Sequence, residues 1–377
     1  MGAWGEGGAG GAAGEQPAQS TDAEPTRVQR MRSAFLEALQ RHPHSVRDEL
    51  YVFAGRPVRL RVLGAALATR THRAFAHLRR AHIAAKPLLT IDLWDETEAA
   101  VPGLPGAETT DLDRHWIACD GMLTASPDGR YVSFRYQDSV ITLDRQTQHM
   151  IGCRRNGAQL SGGEYSKPLL LMLSIWYHDL GVQLLHTGLI AHDGAGVLLP
   201  GESGTGKSTT SLAGLAQGLE FLGDDFIGLE RAPTGAFVGH SLFSTACIVR
   251  ENLARFPELR PLAVEDTFAA DEKPILFLAE VHPERIRASV PIRAVVLLGI
   301  GHESTQIRPA RRAEALRHFA ASTLHTVVPR PGREALRMIG ELVENIPAWW
   351  LLLGPDLRDI RPSIERIVSG ASGAHVS

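Results

Sequence analysis

Cysteine is scarce in this chain and neither sign of charge dominates. The three cysteines, Cys119, Cys153 and Cys247, are widely separated and odd in number, which argues against a disulfide framework and against a paired zinc site. A reducing cytoplasm is the expected compartment. A formal net charge of −3 sets up no field able to draw nucleic acid or a membrane surface, so neither is expected as a partner. Long apolar runs are missing as well. The richest stretch, Leu169–Leu185, is broken by His178 and Asp179, well short of the roughly 20 apolar residues that a membrane span needs, and it reads as a buried helix. The N-terminus lacks the Lys/Arg start and apolar run of a secretory signal, so export is not expected.

What is present is an ordinary globular composition, 44% hydrophobic and 21% charged over 377 residues, enough for two domains that each bury a core. Residues 1–27, rich in Gly, Ala, Glu and Gln, bury too little to offset the entropy of ordering and are expected to be a disordered tail. Residues 28–163 read as a mixed α+β domain. It opens with a helix over Val28–Gln40, continues with a hairpin of Tyr51–Phe53 and Val58–Val62 around Ala54-Gly55-Arg56-Pro57, then a helix Ala65–Arg80 and a strand Leu88–Leu93. A loop over Glu96–Asp111 leads to a meander with strands Tyr131–Tyr136 and Ser139–Leu143. The glycine-rich Ser161-Gly162-Gly163 reads as a linker, and residues 164–370 as a second, α/β domain.

In the second domain Gly201-Glu202-Ser203-Gly204-Thr205-Gly206-Lys207-Ser208 fits G-x-x-x-x-G-K-[ST], the Walker A pattern, at every fixed position. It lies between an expected strand, Val197–Leu199, and an expected helix, Lys207–Gln217. Glycines allow the backbone to curl until successive N–H groups converge on phosphate oxygens at a helix N-terminus, where the helix dipole favours an anion. Gly201 to Thr209 are therefore the expected nucleotide-binding residues. Lys207 would reach the β- and γ-phosphates, and Ser208 would ligate Mg²⁺. The implied cofactors are ATP and Mg²⁺.

A common P-loop enzyme next offers an apolar strand ending in an acid far downstream. The best such strand here, Ala294–Leu298, runs into Gly299-Ile300-Gly301 instead. The acids come early, as Asp224-Asp225 after Gly223, beyond one short helix and one strand. Such a pair can divide two tasks, taking a proton from an incoming hydroxyl and holding the metal, although Gly-Asp-Asp is also turn chemistry. His186 enters the hairpin before the loop, one strand away, where it could meet the γ-phosphate or the acceptor.

His186-Thr187-Gly188, Gly201–Ser208 and Gly223-Asp224-Asp225, at these spacings, resemble the HPr serine kinase/phosphorylase family, with its phosphoenolpyruvate-carboxykinase-like nucleotide fold. The likeness covers roughly Leu169–Ile367. It implies an α/β C-terminal P-loop domain of the HPr kinase type, preceded by a smaller α+β domain. It further implies Asp224 as catalytic base, Asp225 with Ser208 at the metal, His186 on the acceptor side, and Lys207 at the phosphates. Bifunctional members carry Glu-x-Arg-Gly after the aspartates, where this chain reads Ser241-Leu242-Phe243-Ser244-Thr245-Ala246-Cys247, which puts phosphorolysis and HPr as substrate in doubt. Arg250 and Lys273 are candidates for the missing positive charge.

The function expected is an ATP-dependent kinase for a Ser/Thr hydroxyl of a peptide or small protein. The alternatives are a nucleotide-gated scaffold and a small-metabolite kinase. Family members often form rings, so a homo-oligomer is compatible with the resemblance. Trp349-Trp350 with Leu351–Leu353 reads as core before docking surface. His72, His77 and His82 fall every five residues, a spacing that does not keep ligands on one helix face, so no metal is expected there.

Overall fold

A computed structural model describes residues 23–103, 121–264, 273–323 and 332–373. Residues 1–22 of the expected tail, residues 104–111 of the expected 96–111 loop and Cys119 lie outside the described residues, while residues 23–27, expected in the tail, open the first helix, Ala23–Arg41.

Two large mixed sheets organise the chain. The first contains β1 (Val46–Phe53), β2 (Arg56–Leu63), β3 (Arg79–Arg80), β4 (Leu89–Asp95), β5 (Met122–Ala125), β6 (Tyr131–Tyr136), β7 (Ser139–Asp144) and β8 (His149–Arg154), in the order β3-β1-β2-β4-β8-β7-β6-β5. Successive residues of a strand face opposite sides of a sheet. Val62, Leu93, Ile141 and Met150 accordingly enter one core cluster, while their chain neighbours Leu63, Trp94, Val140 and Ile151 enter another beneath the amphipathic helix Ala23–Arg41. The expected helix Ala65–Arg80 is shorter. It stops at Arg73, a 3-10 turn follows at Ala76–Leu78, and Arg79–Arg80 pairs with β1 as an edge strand.

The second sheet holds β9 (Gln183–His192), β10 (Ala195–Pro200), β11 (Glu220–Gly223), β12 (Phe226–Arg231), β13 (Phe237–Ser241), β16 (Ser289–Gly299), β17 (Gln306–Pro309) and β18 (Ala348–Leu352). A ribbon of β14 (Thr245–Cys247) and β15 (Ile275–Phe277) stands apart from it. The eleven-residue β16 explains the layering. Val295 and Leu297 face the helices Arg312–Thr323 and Gly332–Asn345, while Ala294, Val296 and Leu298 face Lys207–Ala216 and Ile360–Gly373. A strand covered on both faces reads as a continuous apolar run, which is what Ala294–Leu298 shows. Trp349 and Trp350 sit in β18 between β16 and β17. Both are partly buried, and Leu351 beside them is fully buried.

The halves share a core. Phe53, Phe75 and Leu60 of the first belong to the same cluster as Trp176, Phe226, Phe243 and Phe277. Arg56 also forks onto Glu230 (2.8 and 2.7 Å), and Arg73 onto Glu280 (2.6 and 2.7 Å). Ser161-Gly162-Gly163 is not an open linker. Ser161 and Glu164 close a reciprocal capping box on the helix Gly162–Ser166, a signal already written in the sequence as S-x-x-E. His72 and His77 are spent separately, on the Tyr51 hydroxyl (2.6 Å) and the Ser241 hydroxyl (2.7 Å), and His82 is exposed.

Candidate functional site

The site is assembled by β9. Its residues Ala191 to Leu189 pair with β11, and its residues His186 to Gln183 pair with β12, so the chain between those two partners must cross along β9 at Asp224-Asp225. On the opposite edge Thr187 pairs with Pro200, the last residue before the glycine loop. Register thus brings His186, the acidic pair and the loop entry to one end of one strand. Gly188 fits at this crossing, where an added Cβ would touch Leu199, Ser211 and the Asp224 carbonyl.

The loop is curled as its glycines allow. Gly204 and Gly206 hold φ of 88° and 95°, in the left-handed region that side chains rarely adopt. Gly206 caps the helix Lys207–Ala216 without any side-chain cap. The first intrahelical bond is Thr210 N–H to the Gly206 carbonyl (2.9 Å), so the N–H groups of Lys207, Ser208 and Thr209 precede it and are available to an anion. Lys207, 6% exposed, donates to the carbonyls of Gly201 (2.6 Å) and Glu202 (2.8 Å). Burial lowers its proton affinity, and the two aspartates oppose that effect. Gly206→Ala would place a methyl 3.2 Å from Ile300 at the same positive φ. It is expected to cost about 1–2 kcal/mol, seen as a lower melting temperature.

The two aspartates are in different environments. Asp225 has both oxygens engaged: Oδ1 accepts from His186 Nε2, and Oδ2 lies 3.0 Å from Lys167 Nζ. Burial pushes its carboxyl up, but Lys167 and then His186 outweigh that and hold it far below the usual carboxylate range. Asp224 is 4% exposed; its Oδ2 accepts from the Cys247 N–H (3.1 Å), while its Oδ1 is buried with no hydrogen-bond partner. Burial first, and the neighbouring Asp225 charge second, push Asp224 up to about 6, against the pull of the Cys247 N–H, the Ser208 hydroxyl and Lys167.

His186 is also engaged on both sides. Its Nδ1 meets the Ser322 carbonyl (3.1 Å), its Nε2 meets Asp225, and its ring stacks on Phe226 at 5.0 Å. The histidine therefore orients Asp225 and presents no free nitrogen to an acceptor.

Lys167, His186, Asp224, Asp225, Cys247 and, of the expected nucleotide-binding residues, Ser203, Gly204 and Gly206 to Thr209 line one cavity of about 780 Å³; Gly201, Glu202 and Thr205 are not among its lining residues. The glycine loop and Ser208 line it together with an apolar wall of Ile300, Leu353 and Leu357 and the polar side chains of Lys167, Asn252, Arg255 and Lys273. Of the two cations proposed from sequence, Lys273 lines the cavity. Sequence reasoning missed Lys167, the Cys247 N–H and the 353–357 wall, because each comes from a segment outside the motifs. Among the described residues no group of three or more His, Cys, Asp or Glu side chains is arranged for a metal. A magnesium ion here would draw on Ser208, with phosphate oxygens and water as its other ligands, which is a usual arrangement for this hard cation. The unpartnered Asp224 oxygen is an acceptor of the kind that a proton or cation must satisfy.

No protein family and no curated protein matches the chain. Among solved structures, the HPr(Ser) kinase/phosphatase from Coxiella burnetii aligns with a TM-score of 0.29 and 14% identity, over 52% of this chain and 99% of that one. A likeness this weak carries no argument, and the site is read from its own geometry. No helix among the described residues is long and apolar enough to cross a membrane.

Proposed function

We propose that the chain is an ATP-dependent phosphotransferase that moves the γ-phosphate to a serine or threonine hydroxyl of a peptide or small protein. The supporting observation is that a curled glycine loop at a helix N-terminus, a buried lysine and a buried carboxylate, one of whose oxygens has no hydrogen-bond partner, line the same cavity. In this reading the loop N–H groups and Lys207 hold the phosphates, and the apolar wall at Ile300, Leu353 and Leu357 takes the base. The Asp224 carboxylate accepts the proton of the acceptor hydroxyl as the hydroxyl oxygen bonds to the γ-phosphorus. The bond from the γ-phosphorus to the β–γ bridging oxygen breaks, and ADP leaves.

Ser208 is the side chain that holds Mg²⁺ in this proposal. The metal role first expected of Asp225 meets a carboxylate already committed to Lys167 and His186. When bound, the ion supplies neutralisation of phosphate charge. Incubation with γ-labelled ATP and a library of Ser/Thr peptides should give an acid-stable, alkali-labile phosphoester. Label that stays on ATP, with binding intact, would favour the scaffold alternative, and transfer confined to small hydroxyl compounds would favour the metabolite kinase.

A further inference from the structure

Lys167 belongs to none of the sequence motifs, yet it lines the cavity and touches the acidic pair. Its ammonium lies 3.0 Å from Asp225 Oδ2 and 6.0 Å from the Phe226 ring centroid, the ring on which His186 also stacks. Lysine and histidine thus grip the two oxygens of one carboxylate from opposite sides.

The turn that carries Lys167 is itself fixed from the first sheet. Arg154, on β8 and 5% exposed, donates to the Glu164 carboxylate and to the Gln159 carbonyl (2.6 Å). Glu164 closes the capping box with Ser161, and the Lys167 N–H bonds the Gly163 carbonyl (3.0 Å) at the end of that helix. The Ser166 carbonyl accepts from the Thr245 hydroxyl (2.7 Å), tying the turn to β14, whose Cys247 N–H bonds Asp224. A continuous set of contacts therefore runs from the first sheet to both aspartates.

We infer that Lys167 is a positioning residue of the transfer site, pinning Asp225 against His186 so that Asp224 is the member of the acidic pair left with an uncommitted oxygen, and that Arg154 and Glu164 make the first sheet the support of that arrangement. This rests on the phosphotransferase reading for its kinetic consequence, but not for its structural one. Groups that act only by orienting a reacting group lose turnover rather than binding when they are removed, because a misplacement of about 1 Å can cost on the order of 100-fold.

The test uses the full-length chain and Mg²⁺-ATP, with hydrolysis as the readout that needs no identified acceptor. Lys167→Met is expected to lower kcat by ~100-fold with KM and calorimetric ADP affinity within ~3-fold of wild type. Lys167→Arg should recover most of the loss, and Arg154→Met, remote from the cavity, should fall between them. A folded Lys167→Met protein, by its melting curve, that keeps wild-type kcat overturns the inference, and so does a loss that appears in affinity alone. If wild type neither transfers nor hydrolyses, the phosphotransferase reading fails by itself. The crystal structure of Lys167→Met then decides the inference: Asp225 released from its His186 contact supports it, and Asp225 unmoved overturns it.

Discussion

Replacing Asp224 with Asn is expected to abolish phosphate transfer, to leave nucleotide binding nearly intact, and to make the protein more stable at neutral pH. The first outcome follows from the proposed proton transfer. Asn keeps an oxygen for the Cys247 N–H but has no basic atom to put at the place of Oδ1, and loss of a general base costs about 100- to 10,000-fold. The stability outcome has the opposite sign because Asp224 is buried and unfavourably charged. Its carboxyl is pushed from 3.8 up to about 6, by burial and then by Asp225. Between about pH 4 and 6 the folded chain holds a proton that the unfolded chain has released, so stability falls as pH rises through this window and the full cost is present above it. Roughly two units correspond to about 3 kcal/mol, and Asn does not carry this cost. Melting curves should place Asp224→Asn several degrees above wild type at pH 7.5 and nearly level with it at pH 4. In wild type, kcat/KM should fall tenfold per pH unit below about 6, and the variant should be flat. A variant that turns over normally would remove Asp224 from the chemistry.

The glycine loop, its entering strand and its following helix are readable because the pattern is consistent across them: glycines where φ is positive, apolar Val197–Leu199 before, and the apolar Leu212, Ala213 and Leu215 after. The early acidic pair was readable as a pair. Its division of labour was not, since Asp224 and Asp225 are neighbours in the chain and differ only in what long-range pairing sets around them. Asp225 meets Lys167 and His186 because β12 is registered on β9 with Phe226 opposite His186, and no local signal encodes that register. Lys167 follows a segment whose local signals conflict. Ser161-Gly162-Gly163 has linker composition, but Glu164 three residues after Ser161 turns it into a cap. The Ala65–Arg80 helix was overextended for a related reason: Arg79–Arg80 joins the edge of the first sheet, and tertiary pairing overrides the helical pattern.

Lys207→Met should also abolish the proposed transfer, but with the opposite effect on stability, and the contrast separates the two roles. In this structure the ammonium is held by the loop itself, through the Gly201 and Glu202 carbonyls, with the Thr205 hydroxyl sharing the Glu202 oxygen (2.9 Å). The lysine therefore closes the curl from within as well as facing the cavity. Methionine preserves the apolar stem but removes two charged hydrogen bonds, each worth about 1.5–3 kcal/mol. Relief from burying a cation returns part of this, so a net loss of about 1–3 kcal/mol is expected. Nucleotide affinity should drop at least ~100-fold, since the charge facing the phosphates disappears. Ligand that binds the folded state alone raises its stability by about 2.7 kcal/mol at 100 times Kd. Mg²⁺-ATP should therefore raise the melting temperature of wild type and of Asp224→Asn, and leave Lys207→Met where it was. If Lys207→Met melts with wild type and still responds to the nucleotide, the lysine neither shapes the loop nor meets phosphate, and the glycine curl alone would have to account for binding.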